Sequence, residues 1–178
     1  MFGRYGVRVS LCAMALAATS LGWAPAAQAH ARAPLSCSGR ESTSYSPGLT
    51  LEPRDVGIEA HPTYTCTDRP GHVVSATGTI EGVSPGASCL ALVTAGGRET
   101  VYYADGGESV IVYTSSVGTR ALGAHTLQLL GTVVEGRGKG HRAVRGIQTL
   151  PGSLPTDCLT SDGLRQAFAG VELEIDPS

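Results

Sequence analysis

The chain has 178 residues, with 13 lysines and arginines against 15 aspartates and glutamates, which gives a formal net charge of −2. A weakly acidic chain is a poor candidate for binding nucleic acid or an anionic membrane surface, so we expect neither partner. The length fits a single domain.

Residues 1–29 have the layout of a secretory signal peptide. Arg4 and Arg8 precede an apolar run from Val9 to Leu21, and small residues follow up to Ala29. The run is too short, and too interrupted by polar residues, to predict a membrane span. We expect cleavage after residue 29, or two residues later, and secretion to the outside of the cell. A short flexible segment at 30–36 would then lead into one domain at 37–176.

Loss of residues 1–29 changes the composition of the mature chain. It removes two arginines and no acid, so the balance becomes 11 basic against 15 acidic residues, or −4. It also removes the only tryptophan. Five tyrosines and Phe168 remain, which is a small stock of aromatic side chains for stacking sugar rings or bases.

The mature chain shows strand patterns along most of its length. Short alternating or apolar segments at 40–46, 56–66, 73–81 and 89–94 are separated by turn pairs such as Pro47-Gly48 and Pro70-Gly71. The clearest hairpin sets Val101 and Tyr103 against Val110 and Val112 around Asp105-Gly106-Gly107, where glycine permits the positive φ of a tight turn.

The segment "VVEGRGKGHRAVRG" at 133–146 is rich in glycine and basic residues. A phosphate-binding loop would require G-x-x-x-x-G-K-[ST] running into a helix, but here Lys139 is followed by Gly140 and then by a strand pattern. We interpret the segment as the turn of a hairpin. Its basic residues form a candidate ligand rim: Arg137, Lys139, His141, Arg142 and Arg145.

The C-terminal region predicts a short helix and a final strand. Leu164, Ala167 and Phe168 have helical spacing for at most two turns before Gly170. Alternating apolar residues at 171, 173 and 175 then predict a strand with one solvent-exposed face. With eight or nine strands and at most this one short helix, the sequence predicts an all-β antiparallel β-sandwich of generally immunoglobulin-like architecture.

Four cysteines remain after cleavage, namely Cys37, Cys66, Cys89 and Cys158. They are too widely spaced for a zinc motif, and in a secreted domain they most simply form two disulfides, with three connectivities open. A hairpin between 40–46 and 54–65 would bring Cys37 near Cys66. That hairpin favours the pairs Cys37–Cys66 and Cys89–Cys158.

The sequence contains no local catalytic motif. A G-x-S-x-G nucleophile elbow is absent, the histidines are scattered, and no acidic group has calcium-loop spacing. We therefore predict no catalytic residue, no metal ligand and no cofactor. An enzyme remains open only because residues of a triad can assemble in space from distant positions.

Several segments resemble a group of small secreted actinobacterial proteins: Cys37-Ser38-Gly39, "YSPGLT" at 45–50, Ser88-Cys89-Leu90, "GTVVEGRGKGHRAV" and "DCLTSDGL" with "GVELEI". The resemblance spans nearly the whole mature chain. It implies no assigned activity and no catalytic residues, and it implies that the glycine-rich segment connects two strands.

Two classes of function follow. The first is a non-catalytic extracellular module that binds a cell-envelope component or a secreted protein, with no assigned partner. The alternative is a secreted protease inhibitor, because "YTCTDRP" and "SCLALVTAGG" are similar to the early cysteine region of actinobacterial subtilisin inhibitors. Against the alternative, the Cys66 to Cys89 spacing is wide and the mature chain has no methionine for the inhibitors' reactive loop.

Overall fold

The computed structural model describes residues 34–92, 96–121, 124–149 and 156–177. The predicted signal peptide lies outside these residues. The eight strands are β1 Leu35–Leu49, β2 Arg54–Arg69, β3 His72–Ala87, β4 Gly97–Tyr103, β5 Glu108–Ala121, β6 Ala124–Gly136, β7 Arg142–Thr149 and β8 Leu164–Ile175. Leu35 and Ser36, which we had assigned to the short N-terminal segment, are the first residues of β1.

The eight strands form one closed antiparallel barrel, so the prediction of a β-sandwich is wrong. Each strand pairs with the next along the chain, and β8 returns to pair with β1. The closing pair is long, running from Leu35 opposite Ile175 to Ser44 opposite Gln166. Sandwiches and barrels both bury alternate residues, so the alternation that predicted the strands does not distinguish them.

The predicted C-terminal helix is also wrong. Leu164, Ala167 and Phe168 lie in β8, where Phe168 is opposite Ser42 of β1. Among the described residues the helical structure is a single 3₁₀ turn at Thr156–Leu159. Pairing of this part of β8 with β1 outweighs a helical spacing of two turns, because short helices are marginal without tertiary support.

The predicted turns at 105–107 and 136–140 are confirmed. Strands β4 and β5 are joined by 104–107, although Val101 is opposite Ser109 rather than Val110. Strands β6 and β7 are joined by 137–141, where Gly138 has φ +78° and Gly140 has φ +86°. These turns, with that at 70–71, lie at one end of the barrel, which we call the turn end. The opposite end, with 50–53, 88–92 and 156–163, is the loop end.

Side chains fill the barrel from the turn end to its middle. An eight-stranded barrel has an interior just wide enough for its own side chains. The main core follows the inward-facing alternation of every strand: Leu35, Cys37, Tyr64, Cys66, Val74, Ala76, Val101, Tyr103, Ile111, Tyr113, Leu129, Val133, Ala143, Val171, Leu173 and Ile175. A smaller cluster of Leu49, Val56 and Ala87 packs at the loop end.

The disulfides join Cys37 to Cys66 and Cys89 to Cys158, the two pairs that the hairpin favours. Cys37 and Cys66 are directly opposite each other on β1 and β2, inside the barrel. Cys89 and Cys158 instead connect the segment after β3 to the 3₁₀ turn before β8. Two disulfides are compatible with an extracellular protein.

Candidate functional site

Five polar side chains meet inside the barrel in what we call the buried network. Tyr64 donates a hydrogen bond to Glu99 Oε1 at 2.7 Å, and Tyr113 donates one to Glu99 Oε2 at 2.5 Å. Arg145 Nε donates to the Tyr64 hydroxyl at 3.1 Å and lies 3.4 Å from Glu99 Oε2. Arg145 also forms an ion pair with Glu41. The network links β1, β2, β4, β5 and β7 through the barrel interior.

Burial and charge together fix the protonation of the donors in this network. Desolvation raises the pKa of the Tyr64 and Tyr113 hydroxyls well above the ordinary value, and the charge of Glu99 raises them further. Burial by itself lowers the pKa of Arg145, but Glu99 and the other neighbouring groups more than reverse this and hold the guanidinium protonated. All three groups therefore act as hydrogen-bond donors.

The network is sealed from solvent. Glu99 is 0 % exposed, Arg145 is 1 % and Glu41 is 4 %. A small apolar recess lies above it toward the loop end, between Ile58, Ile80, Gly97, Tyr113 and Leu129. The recess has room for about one water molecule. The acid–base groups of the described interior are thus shielded from solvent.

The structure separates the residues of the predicted basic rim. Arg145 lies inside the barrel, whereas Lys139 and Arg142 are exposed and His141 is half-buried near the turn end. Arg137 donates a 2.6 Å hydrogen bond to Asp105, and its guanidinium lies 4.2 Å from the centre of the Tyr103 ring. The hydrogen bond from Arg137 lowers the pKa of Asp105, as does one from the backbone of Gly107. Arg137 thus joins two neighbouring turns.

A groove crosses the outer face of the barrel over β7, β8 and β1. It is lined on the outside by Ser38, Gly146, Gln148, Gly170 and Glu172. The register places these residues in two rows across the three strands: Ser38, Glu172 and Gly146 form one row, and Arg40, Gly170 and Gln148 form the next. We call this feature the glycine groove, because Gly146 and Gly170 lie diagonally opposite each other on neighbouring strands and leave its floor bare.

The fold does not require glycine at the groove floor. A Cβ atom added at Gly146 would meet nothing within 4 Å, and one at Gly170 would meet only the Gln148 carbonyl at 3.8 Å, an ordinary contact. Neither residue has the positive φ that favours glycine. By contrast, Gly39 beneath the groove is required, since its Cβ would lie 1.8 Å from the Thr63 carbonyl oxygen. Glycine within a strand weakens it and often marks the close approach of a ligand or another backbone.

Phe168 lies beside the groove on the same outer face. It is 72 % exposed and two residues before Gly170, which places their Cα atoms about 7 Å apart along β8. Several other large hydrophobic side chains are also exposed, and what distinguishes Phe168 is its position, because its ring is within reach of a ligand that lies along the groove.

Sequence reasoning missed both the groove and the buried network. Phe168 was assigned to a helix. Glu172 and Glu174 alternate with buried residues, and the same alternation continued toward the N-terminus would have placed Phe168 and Gly170 on the solvent-exposed face of the strand. Arg145 was grouped with its basic neighbours, although Ala143 and Ile147 share its face of β7. Glu41 and Glu99 carried no local signal, because an acidic residue in a strand pattern is normally solvated.

In the parts of the chain that the structure describes, no three histidine, cysteine, aspartate or glutamate side chains are close enough together to bind a metal ion. Searches of protein-family models, of curated proteins and of solved structures found no match to this chain. Among the described residues, no helix has the length and apolarity needed to span a membrane.

Proposed function

We propose that this protein is a secreted, non-catalytic binding module that attaches to a component of the cell envelope through the glycine groove. The proposal rests on the pair Gly146 and Gly170. The fold has room for a side chain at both positions, yet the floor of the groove carries none. An outward strand position is otherwise better filled by a β-branched or aromatic residue.

Export is part of the proposal. The layout of residues 1–29 supports it, and so do the two disulfides, which persist in oxidising environments outside the cytosol.

Binding is favoured over catalysis by the place of the acid–base groups. Glu41, Glu99 and Arg145 are the clustered ionisable groups of the barrel interior, and they are buried against each other. A general acid or base must come within hydrogen-bond reach of a reacting group, and these groups are sealed from solvent. The groove, in contrast, lies on the outer face of the barrel.

The segment after Cys89 does not favour a protease inhibitor. Ser88 and Ala91 exchange two backbone hydrogen bonds, at 2.8 and 3.2 Å, and the Ser88 hydroxyl accepts from the backbone of Leu90 and Ala91. Residues 88–91 thus form a tight turn, and residues 93–95 lie outside the described part of the chain.

The proposal is tested by a pull-down with tagged residues 30–178 against envelope and culture-fluid fractions of the producing organism. The Gly146→Val/Gly170→Val variant fills the groove floor, and Thr77→Val/Thr79→Val places the same two valine side chains on the outer face of β3 as a control for added apolar surface. We expect retention on the envelope fraction by the wild type and the β3 control, and a loss of about tenfold or more in the groove variant. Equal retention of all three proteins would contradict the groove as the site. Stoichiometric capture of a secreted protease would instead favour the inhibitor.

A further inference from the structure

The lining of the glycine groove identifies the chemistry of a ligand. Its walls offer a hydroxyl from Ser38, a carboxylate from Glu172 and an amide from Gln148, all on exposed positions of the strands. Together these groups can both donate and accept hydrogen bonds. These polar side chains distinguish the groove from the apolar groove that binds a hydrophobic helix.

The groove has few charged groups around it. Arg40 is opposite Gly170 in one row, Glu172 is in the other row, and Glu174 follows Glu172 on the same outer face of β8. One basic and two acidic groups give at most a slight negative excess, so the groove does not favour a polyanion such as nucleic acid. The hydroxyl and amide groups of the lining fit a neutral ligand with many hydroxyl groups.

Phe168 adds an apolar contact at one end of this polar surface. A sugar ring has polar edges and one or two faces of C–H groups, and an exposed aromatic ring can cover such a face while the hydroxyls point toward polar neighbours. The flat floor at Gly146 and Gly170 lets the next ring lie against the backbone. An exposed aromatic ring, a bare floor and paired donors and acceptors thus occur within one surface.

We propose that the glycine groove binds a neutral polysaccharide chain, with one sugar ring stacked on Phe168 and the hydroxyls of the next ring bonded to Glu172 and Gln148. This inference rests on the proposed function and names the ligand class of the same site.

The test measures retention of the purified protein, residues 30–178 with disulfides intact, on four insoluble neutral glycans: cellulose, chitin, a β-1,3-glucan and a β-1,4-mannan. Phe168→Ala removes the stacking surface. Tyr102→Ala is the matched control, because Tyr102 is the half-exposed tyrosine on β4, four strands away around the barrel. Thermal unfolding of each variant checks that the fold is intact.

We expect retention on at least one glycan, weakened about tenfold by Phe168→Ala and about as strongly by Gly146→Val/Gly170→Val, and unchanged by Tyr102→Ala. Lack of retention on all four glycans overturns the saccharide inference. If the groove variant still loses binding to the envelope fraction, the binding-module proposal survives this result with a different ligand. The inference is also overturned if Phe168→Ala and Tyr102→Ala weaken retention equally.

Discussion

Replacement of Arg145 by methionine is the sharpest test of the buried network. Arg145 is 1 % exposed and neutralises part of the charge of two carboxyl groups, Glu41 and Glu99, that are themselves sealed in the barrel. Methionine preserves most of the volume of the side chain but supplies neither charge nor hydrogen-bond donors. The variant leaves the two carboxyl groups facing each other across the interior, and Tyr64 loses one of its partners.

The expected loss follows from the cost of breaking a buried ion pair by removing one partner, which is about 3 to 5 kcal/mol. For a protein of this size, each kcal/mol corresponds to a shift of about 2 to 4 °C in Tm. Arg145→Met should therefore lower Tm by roughly 6 to 20 °C. A typical domain has about 5 to 15 kcal/mol of unfolding free energy, so this loss leaves the variant folded unless the wild type lies at the lower end of that range.

The assay is urea denaturation at pH 7 with the disulfides intact, followed by circular dichroism. Arg142→Met is the matched control, because Arg142 lies on the same strand but is exposed. The control should change the free energy of unfolding by less than about 0.5 kcal/mol. Adding Glu41→Gln to Arg145→Met should restore part of the loss, since it removes one uncompensated carboxylate. A loss below about 1 kcal/mol for Arg145→Met would refute the view that this ion pair organises the barrel interior.

Three further outcomes are expected. Replacing both Cys89 and Cys158 by serine opens a covalent loop of 69 residues, so the free energy of unfolding should fall by up to about 4 kcal/mol. Urea titration measures this, and an unchanged midpoint would contradict it. Burial, and secondarily the charge of Glu41, raises the pKa of Tyr45 to about 12, so its contribution to stability is complete below pH 10 and is lost as the pH rises toward 12. Tyr45→Phe should therefore flatten the alkaline fall in urea midpoints over that interval, and an identical fall in both proteins would count against the effect. Gly146→Val alone should leave Tm unchanged or raise it, because its added side chain has free space, and a marked decrease would show that the fold itself requires this glycine.

Much of the strand content could be predicted from sequence, because strands that bury one face alternate with a period of two and glycine marks their turns. The turns at 105–107 and 136–140 are examples, and the hairpin that brings Cys37 to Cys66 is another. Closure into a barrel could not be predicted in the same way. It depends on pairing between Leu35–Ser44 and the far end of the chain, and no local pattern reports such a contact.

The candidate sites could not be predicted either, because they depend on pairing between distant parts of the chain. Arg145 lies among basic residues in the sequence but points into the barrel, and only the register of β7 against β6 and β8 determines this. Gly146 and Gly170 are 24 positions apart and become neighbours only through the pairing of β7 with β8. Their significance also depends on empty space around them, which no sequence pattern records.

The positions of the two disulfides determine how the chain would respond to proteolysis outside the cell. The turns at 104–107 and 137–141 both lie between Cys89 and Cys158, so a single cut in either would leave one covalently connected molecule. The turn at Gly71 lies between Cys66 and Cys89, outside both covalent loops. A cut there would leave two pieces, held together only by the barrel. Residues 159–163, between Cys158 and β8, also lie outside both loops and are mostly exposed. Resistance to proteases therefore depends most on that segment and on the two-residue turn between β2 and β3, where Pro70 leaves little freedom for a protease to engage the backbone.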